Sequence, residues 1–450
     1  YVSRAARPIG VIAGLAVTVL AALSLALNGT VDMRTTWATD LGAGYAVDLD
    51  ALSATFLMLV GLVFAIGAAA SARVASRREY FALWDLLLAS LAGLFVARDL
   101  LLFVICWDAC LIPLVVVIWQ WGSGRERRSA ATRLLVYELG GSALLLVAIL
   151  SLAVARGTLD FDGLAARRVP PSGQLLPALL ALGAFAVRLG LFPLHGWLPR
   201  AYAAAPVPVA MALCGGLAAS AAYGIVRVDL TLFPQGMSAA APVLVALAAV
   251  GVLYGAVVAT RQDDLRRLIA FANLSQLNLV ALALFAATAT SLRGAVLASI
   301  SNGLVIATAL LLAAMLARRT SSFALSRAGG LVASTPILAA LFGATTLAMI
   351  GLPGTSAFAG DVVALAGSYE RFPAATATAA LGLIAAAAYG LGAMRRAFQG
   401  PPLATGMDLR RRERALVAPL LTLIVLLGIA PGLLSDRIPD DALPALEVGR

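Results

Sequence analysis

The sequence predicts an all-α polytopic membrane protein of about 13 to 14 transmembrane helices, with two inverted five-helix repeats that each contain a broken helix. Three observations predict it. Of the 450 residues, 61% are hydrophobic and only 12% charged, more apolar surface than one water-soluble core can hide. Apolar runs of roughly 18 residues or more, enough to cross ~30 Å of hydrocarbon, recur along the chain. Two of those runs are interrupted around a proline, five segments apart.

The runs fall near 8–28, 50–71, 80–97, 99–120, 131–155, 175–198, 204–228, 241–260, 267–286, 292–317, 331–367, 373–394 and 415–432. Residues 1–79 hold the N-terminal helices. Segments three to seven (80–228) form the first repeat and segments eight to twelve (241–394) the second. Residues 395–450 hold a cytoplasmic connection, a C-terminal helix and a tail. The sixth run is expected to break around Pro193. The eleventh is too long for one straight helix and is interrupted at Gly351, Leu352, Pro353 and Gly354. Proline removes a backbone donor and clashes with the preceding turn, and freed backbone groups at bilayer depth persist only where protein or water satisfies them. Five is odd, so the second repeat is inverted relative to the first. Transporters with that architecture hold their ion sites near the bilayer midplane.

The net charge of +10 comes entirely from arginine, with no lysine in the chain. The arginines are scattered over short connections instead of one soluble face, which fits a bilayer and excludes nucleic acid as the partner. They concentrate after even-numbered segments, as at Arg78, Arg125, Arg127, Arg128, Arg318, Arg319, Arg395, Arg396 and Arg410 to Arg412. By the positive-inside rule those connections are cytoplasmic and the C-terminus is outside. The chain starts at Tyr1 instead of Met, which leaves open whether a further helix precedes it. Cys106, Cys110 and Cys214 all lie in apolar runs without a CxxC pair, and there is one histidine. No dinucleotide fingerprint, phosphate loop or catalytic triad is present. No catalytic residue, metal site or cofactor is expected in this chain, which gives a stand-alone membrane enzyme little support.

Ionisable groups at bilayer depth carry the functional signal. Asp108 lies in LLFVICWDACLIPL, near the middle of segment four and close to Pro113. Arg188 precedes the break in segment six, His195 sits at that break, and Asp361 follows the break in segment eleven. A charged side chain near the bilayer centre costs about 2.5 to 3.5 kcal/mol, so each needs a partner, a water pocket or a task. The simplest partnership is Asp108 with Arg188, as a structural ion pair or as part of a proton or ion relay.

Several stretches together resemble the antiporter-like, proton-conducting membrane subunits of respiratory complex I and its relatives, specifically the subunit M (ND4-like) branch. RDLLLFVICWDACLIPLVVVIWQWG looks like that family's helix with its central glutamate. AVRLGLFPLHGWLPRAYAAAPVPVAMALCGGLAASAAYG looks like its broken helix, connecting loop and next helix. LYGAVVATRQDDLRRLIAFANLSQLN and MIGLPGTSAFAGD follow in the same order. The resemblance runs from about residue 45 to residue 432. It implies a multi-pass subunit of a bacterial cell membrane, partnered by other membrane-arm subunits and lipid, with quinone chemistry elsewhere in the assembly driving proton movement. Carried over by position, the family's glutamate falls at Asp108, its broken-helix lysine at Arg188 and its terminal acid at Asp361.

The departures from the family's pattern bear directly on function. The next family lysine falls at Ala219, a central histidine at Asn302, and a further polar position, often histidine, at Gln276. In the loop, the family's acid, histidine and glutamate read Arg200, Tyr202 and Ala204. Buried lysine can shed its proton, whereas guanidinium stays charged, so Arg188 can steer protons but not carry them. Three readings follow from the resemblance: conduction through hydrogen-bonding stations such as Asn302, Gln276, Ser220 and Ser301; a scaffold that keeps the membrane arm continuous; or a subunit of a related sodium/proton antiporter, membrane hydrogenase or inorganic-carbon uptake complex. The residues point to a member of a complex I-like assembly whose own proton path is impaired.

Overall fold

A computed structural model of the chain describes residues 2–27, 32–38, 42–71, 78–166, 169–401, 406–438 and 444. The chain is an all-α polytopic membrane protein. Among the described residues, ten helices are long and apolar enough to cross a bilayer. In order, the elements begin with α1 (Val2–Leu27), the hairpin β1 (Asp32–Ala38) and β2 (Ala43–Asp48), α2 (Ala51–Ala70) and α3 (Arg78–Val96). Then come α4 (Leu100–Ala109), α5 (Leu111–Trp121), α6 (Arg127–Arg156), α7 (Phe161–Ala166), α8 (Leu175–Leu189) and α9 (Leu198–Ala204). One continuous span follows, made of α10 (Val207–Ala212), a wide π turn at Leu213–Leu217, α11 (Ala218–Gly224) and a second wide turn at Ile225–Leu230. The rest is α12 (Pro234–Thr260), α13 (Leu265–Ala286), α14 (Ala289–Thr320), α15 (Pro336–Met349), α16 (Ser356–Tyr369), α17 (Pro373–Phe398), α18 (Arg411–Ile429) and the short α19 (Gly432–Ser435).

Each expected segment contains at least one of these helices, with local differences. Segment four is a single span interrupted at Cys110, between α4 and α5. Pro113 accounts for it, because its ring lacks an N–H for the Ala109 carbonyl and crowds that carbonyl. The antiparallel hairpin β1–β2, pairing Asp32 with Asp48, lies in what the sequence offered only as a connection. Its second strand leads into an ion network at one end of the bundle: Arg98 contacts Asp48 at 2.5 Å and Asp50 at 3.1 Å, and Arg227 also pairs with Asp50. Asp50 additionally caps α2 by accepting from the Ser53 amide at 2.9 Å. The C-terminal tail expected beyond residue 438 lies almost wholly outside the described residues.

Both expected breaks occur, but glycine ends each helix and proline sits in the connection that follows. α8 stops at Leu189 because Gly190 adopts a left-handed conformation (φ 75°), a cap that glycine accepts without a Cβ clash. α15 stops at Met349, and Gly351 (φ 71°) and Gly354 (φ 90°) turn the chain before α16 begins at Ser356. Pro193 and Pro353 therefore lie within the loops and keep the helix from resuming there. The span 207–230 packs against α8, α13 and α14, with every residue of its most apolar window buried, so it is the central pillar between the two breaks.

Outside the hydrocarbon, Asp408 caps α15 from a distant part of the chain. Thr335 provides no side-chain cap there, and Asp408 instead accepts from the amides of Ile337 at 2.7 Å and Leu338 at 3.0 Å. Partial burial works against its charged form. The amides of Ile337, Leu409 and Leu338, with Arg319 nearby, outweigh that and hold its carboxyl below the ordinary aspartate value. A depressed carboxyl stabilises the fold fully above the unfolded aspartate value of about 3.9 and loses that contribution as pH falls through its lower folded value. Asp408→Ala is expected to cost about 1 kcal/mol, as lost helix caps do. Thermal melts of the purified assembly against pH check this: the variant should lie below the native protein at neutral pH and converge with it in acid.

Candidate ion-handling sites at the two helix breaks

Arg188 stands in the last turn of α8, where the exposed carbonyl ends of the helix favour a cation. It is only 1% exposed, so its charge must be met inside the protein. Its Nε donates to Glu138 Oε2 at 2.8 Å and its Nη2 to the Trp107 carbonyl at 3.1 Å. The guanidinium lies over the Trp107 ring, 3.2 Å from its centroid. Glu138, on α6, is 2% exposed. Glu138 Oε1 and Arg188 Nη1 have no hydrogen-bond partner among the described residues.

The expected Asp108–Arg188 pair is therefore replaced by Glu138–Arg188. Asp108 is exposed on the outer side of the chain and accepts a hydrogen bond from Ser142 Oγ. The reason is helical geometry: Trp107 takes the inward position over Arg188, and the next residue is turned about 100° away from it. Glu138 was legible as a lone carboxylate in segment five, but sequence spacing gives no indication of which neighbouring helix faces the arginine.

The break beside Arg188 is sealed by side chains that sequence reasoning did not single out. Asn278 of α13, fully buried, accepts from the Phe192 amide at 3.1 Å and donates to the carbonyls of Gly190 at 3.3 Å and Leu274 at 2.8 Å. Trp197 Nε1 donates to the Val187 carbonyl at 2.8 Å. These contacts supply the partners that a broken helix needs at bilayer depth. His195 belongs to a separate aromatic group, with its ring 5.6 Å from that of Phe192 and 5.0 Å from that of Tyr254. No hydrogen bond among the described residues joins it to Arg188.

At the second break, Asp361 of α16 is 5% exposed and its Oδ2 has no hydrogen-bond partner among the described residues. It lines a small cavity of about 10 Å³ together with Gln276, Asn302, Ser301 and Tyr389. That is close to the least space one water occupies. Asn302 Oδ1 and the Tyr389 hydroxyl are likewise unpartnered among the described residues. Tyr389, in the alanine-rich α17, was not anticipated from the sequence. Ser301 shares a hydrogen bond of 2.7 Å with Ser356.

Between the breaks runs a chain of amides and hydroxyls. Asn302 Nδ2 donates to Asn273 Oδ1 at 2.7 Å, and Asn273 Nδ2 donates to the Tyr202 hydroxyl at 2.9 Å. Ala219 is buried at 3% exposure on the central span, and the neighbouring Ser220 donates to its own helix at Leu217, 2.7 Å away. Carboxylates can bind a proton at each end, but the side chains linking them in this chain are not ones that hold an excess proton. Among the described residues, no three His, Cys, Asp or Glu side chains are grouped to hold a metal ion.

Comparison with known proteins covers both sites. The family model described as NADH:quinone oxidoreductase/Mrp antiporter, TM, matches residues 97–386, a stretch that contains Asp108, Glu138, Arg188, Ala219 and Asp361. NADH-quinone oxidoreductase subunit M of Rhodobacter capsulatus is 32% identical over 407 residues, covering 86% of this chain and 79% of that protein. An NAD(P)H-quinone oxidoreductase chain 4 of Thermosynechococcus vestitus is 34% identical over 398 residues, covering 85% and 74% respectively. A chain of respiratory complex I from Thermus thermophilus superposes with a TM-score of 0.88 at 32% identity, covering 99% of this chain and 100% of that one. A chain of the Mrp complex from Dietzia shares the fold, with a TM-score of 0.89 at 20% identity, covering 98% and 92%. The chain belongs to the NADH:quinone oxidoreductase/Mrp antiporter transmembrane family, on its subunit M branch.

Proposed function

We propose that this chain is an antiporter-like membrane-arm subunit of a complex I-like NADH–quinone oxidoreductase, coupled to proton translocation, whose own proton path is impaired. Its neighbours in this reading are other membrane-arm subunits and lipid of a bacterial cell membrane, and it carries no cofactor of its own. Residues 80–228 and 241–394 act as the two inverted repeats, each contributing one acidic site at its break. The similarity to complex I subunits along nearly the full chain supports the assembly.

One observation carries the impairment: among the described residues, the Tyr202–Asn273–Asn302 connection and the Ala219 position supply no carboxylate, histidine or lysine between Glu138–Arg188 and Asp361. Protons cross hydrocarbon along continuous donors and acceptors, and water enters only where polar groups hold it. The test is the proton-to-electron ratio of the assembled complex in sealed vesicles, with and without Asp361→Asn. The expected result is an unchanged ratio at normal quinone reduction. A lower ratio at the same electron flux would mean that Asp361 conducts, and would overturn the impairment. The sodium/proton antiporter alternative has a likeness of fold on its side, but the sequence identity of 32% lies with complex I.

A further inference from the structure

We propose that the arginine-rich end of the first repeat holds a binding site for a phosphate-bearing anion, in a cavity framed by Arg125, Arg200, Arg266 and Arg267. The proposal goes beyond the proton-path reading and does not rest on whether protons reach Asp361. The cavity has a volume of about 340 Å³ and lies where the α5–α6 connection, the short α9 and the first turn of α13 meet. That is within the range of about 300 to 1,000 Å³ usual for small-ligand pockets. Trp121 ends α5 just before the cavity, and Arg128 lies over the Trp119 ring, 5.6 Å from its centroid. Interfacial tryptophans and clustered arginines put this end of the bundle at the cytoplasmic membrane surface.

Uncompensated charge carries the argument. Four guanidiniums against Glu126 in the wall and Asp264 beside it leave a surplus of two positive charges. Arg266 is the committed one: it pairs with Asp264 at 3.2 Å, donates to Ser123 Oγ at 2.7 Å and lies 4.1 Å from the Phe323 ring centroid. Its side chain is 15% exposed, so it forms a fixed wall. Arg125, Arg200 and Arg267 are exposed, and their guanidiniums have no hydrogen-bond or ion-pair partner among the described residues. Like charges gathered in one concavity repel, and an anion seated among them removes that repulsion. The 30-residue α6 adds to the field. Its N-cap residue Glu126 makes no side-chain cap, and its first turn borders the cavity at Glu126 and Ala130 with the positive end of the helix.

The donor set selects the ligand. Guanidinium forks bind phosphate oxygens in pairs, and several forks can share one phosphate group. A lipid headgroup and a small soluble phosphorylated compound offer that same chemistry. Arg200 stands on α9 two residues before Tyr202, whose hydroxyl accepts from Asn273 at 2.9 Å. An anion clamped on Arg200 therefore also steadies the start of the amide chain that runs to Asn302.

The test uses the assembled complex in phosphatidylcholine nanodiscs with two probes. Radiolabelled inorganic pyrophosphate is followed by equilibrium dialysis, and phosphatidylglycerol doped into the disc is followed by native mass spectrometry. The native complex should hold at least one of them. Arg200→Asp, a charge reversal at an exposed position, should weaken that binding about tenfold or more, the loss of one charge-assisted contact. Arg267→Ala repeats the comparison from α13. Arg395→Asp, an equal charge change at the exposed end of α17, should leave binding nearly unchanged, because salt screens a distant charge. Pyrophosphate retention identifies a soluble ligand and phosphatidylglycerol retention a lipid headgroup, and either supports the site. Comparing the native complex with Arg200→Asp removes phosphate bound elsewhere in the assembly. With the probe bound, hydrogen exchange across residues 198–204 should slow. The proposal is overturned if neither probe distinguishes the native complex from Arg200→Asp and Arg267→Ala, if Arg395→Asp loses as much as they do, or if exchange across α9 is unchanged. Binding is read without pumping, so its failure leaves the Asp361→Asn test of the proton path intact, and failure of that test leaves this site intact.

Discussion

Arg188→Leu should destabilise the subunit by about 3 to 5 kcal/mol, the range seen when one partner of a buried ion pair is removed and the other is left as an uncompensated charge. The stranded groups are Glu138, whose only hydrogen-bonded cation among the described residues is Arg188, and the Trp107 carbonyl beside the interrupted α4–α5 span. Thermal unfolding of the purified assembly and recovery of the subunit in the membrane both report the loss. Pairing the change with Glu138→Leu should recover most of it, because the desolvated charge goes with its partner. Arg188→Lys should fall in between. An ammonium on a flexible stem can meet Glu138, but it lacks the planar fork that reaches the Trp107 carbonyl while stacking on the indole. If the single leucine variant melts with the native protein, the pair is not what holds α6 and α8 together.

Asn278→Leu should be the next most damaging substitution, and its effect should concentrate at the first break. The Phe192 amide and the Gly190 carbonyl would lose their partner, and unsatisfied buried groups cost about 1 to 3 kcal/mol each. Nothing else among the described residues is placed to replace the amide side chain at both points. Hydrogen exchange resolved by peptide should show faster exchange across residues 190–197 while α13 stays protected. The same signature should follow from Gly251→Ala on α12. A Cβ there would come within 2.1 Å of the Asn278 side-chain oxygen and displace it. Agreement between two substitutions on different helices would identify the bridge, not the bulk, as the cause.

Much of this architecture was legible because bilayers impose strong length rules. Each of the thirteen apolar runs contains a helix, and punctuation by Gly and Pro revealed both interrupted helices. What escaped was everything that depends on facing. Asp108 and Arg188 lie on neighbouring apolar runs and carry opposite charges, yet one residue's rotation sends Trp107 inward and Asp108 outward. Glu138 was visible as a carboxylate in an apolar run, but nothing in a single sequence says that α6 and not α4 turns its acid toward α8. Tyr202 was noted only as a departure from a family pattern, whereas its hydroxyl anchors the amide chain that reaches Asn302. The second site was more legible, because Asp361 immediately follows its Gly-Pro interruption and the geometry there is local. Wide π turns and a short hairpin leave too weak a periodic signal to register against thirteen runs of alanine, leucine and valine.

The wide turns at Leu213–Leu217 and Ile225–Leu230 each carry more residues than an α-helical turn of the same pitch. Each therefore acts as a phase shifter, advancing the angular position of everything beyond it by roughly 100° per additional residue. The seven residues Ala218–Gly224 are thus clocked against both ends of their own rod. Moving the extra residue from the first collar to the second would re-aim Ala219 and Ser220 at different neighbours, while the ends of the rod kept their seats.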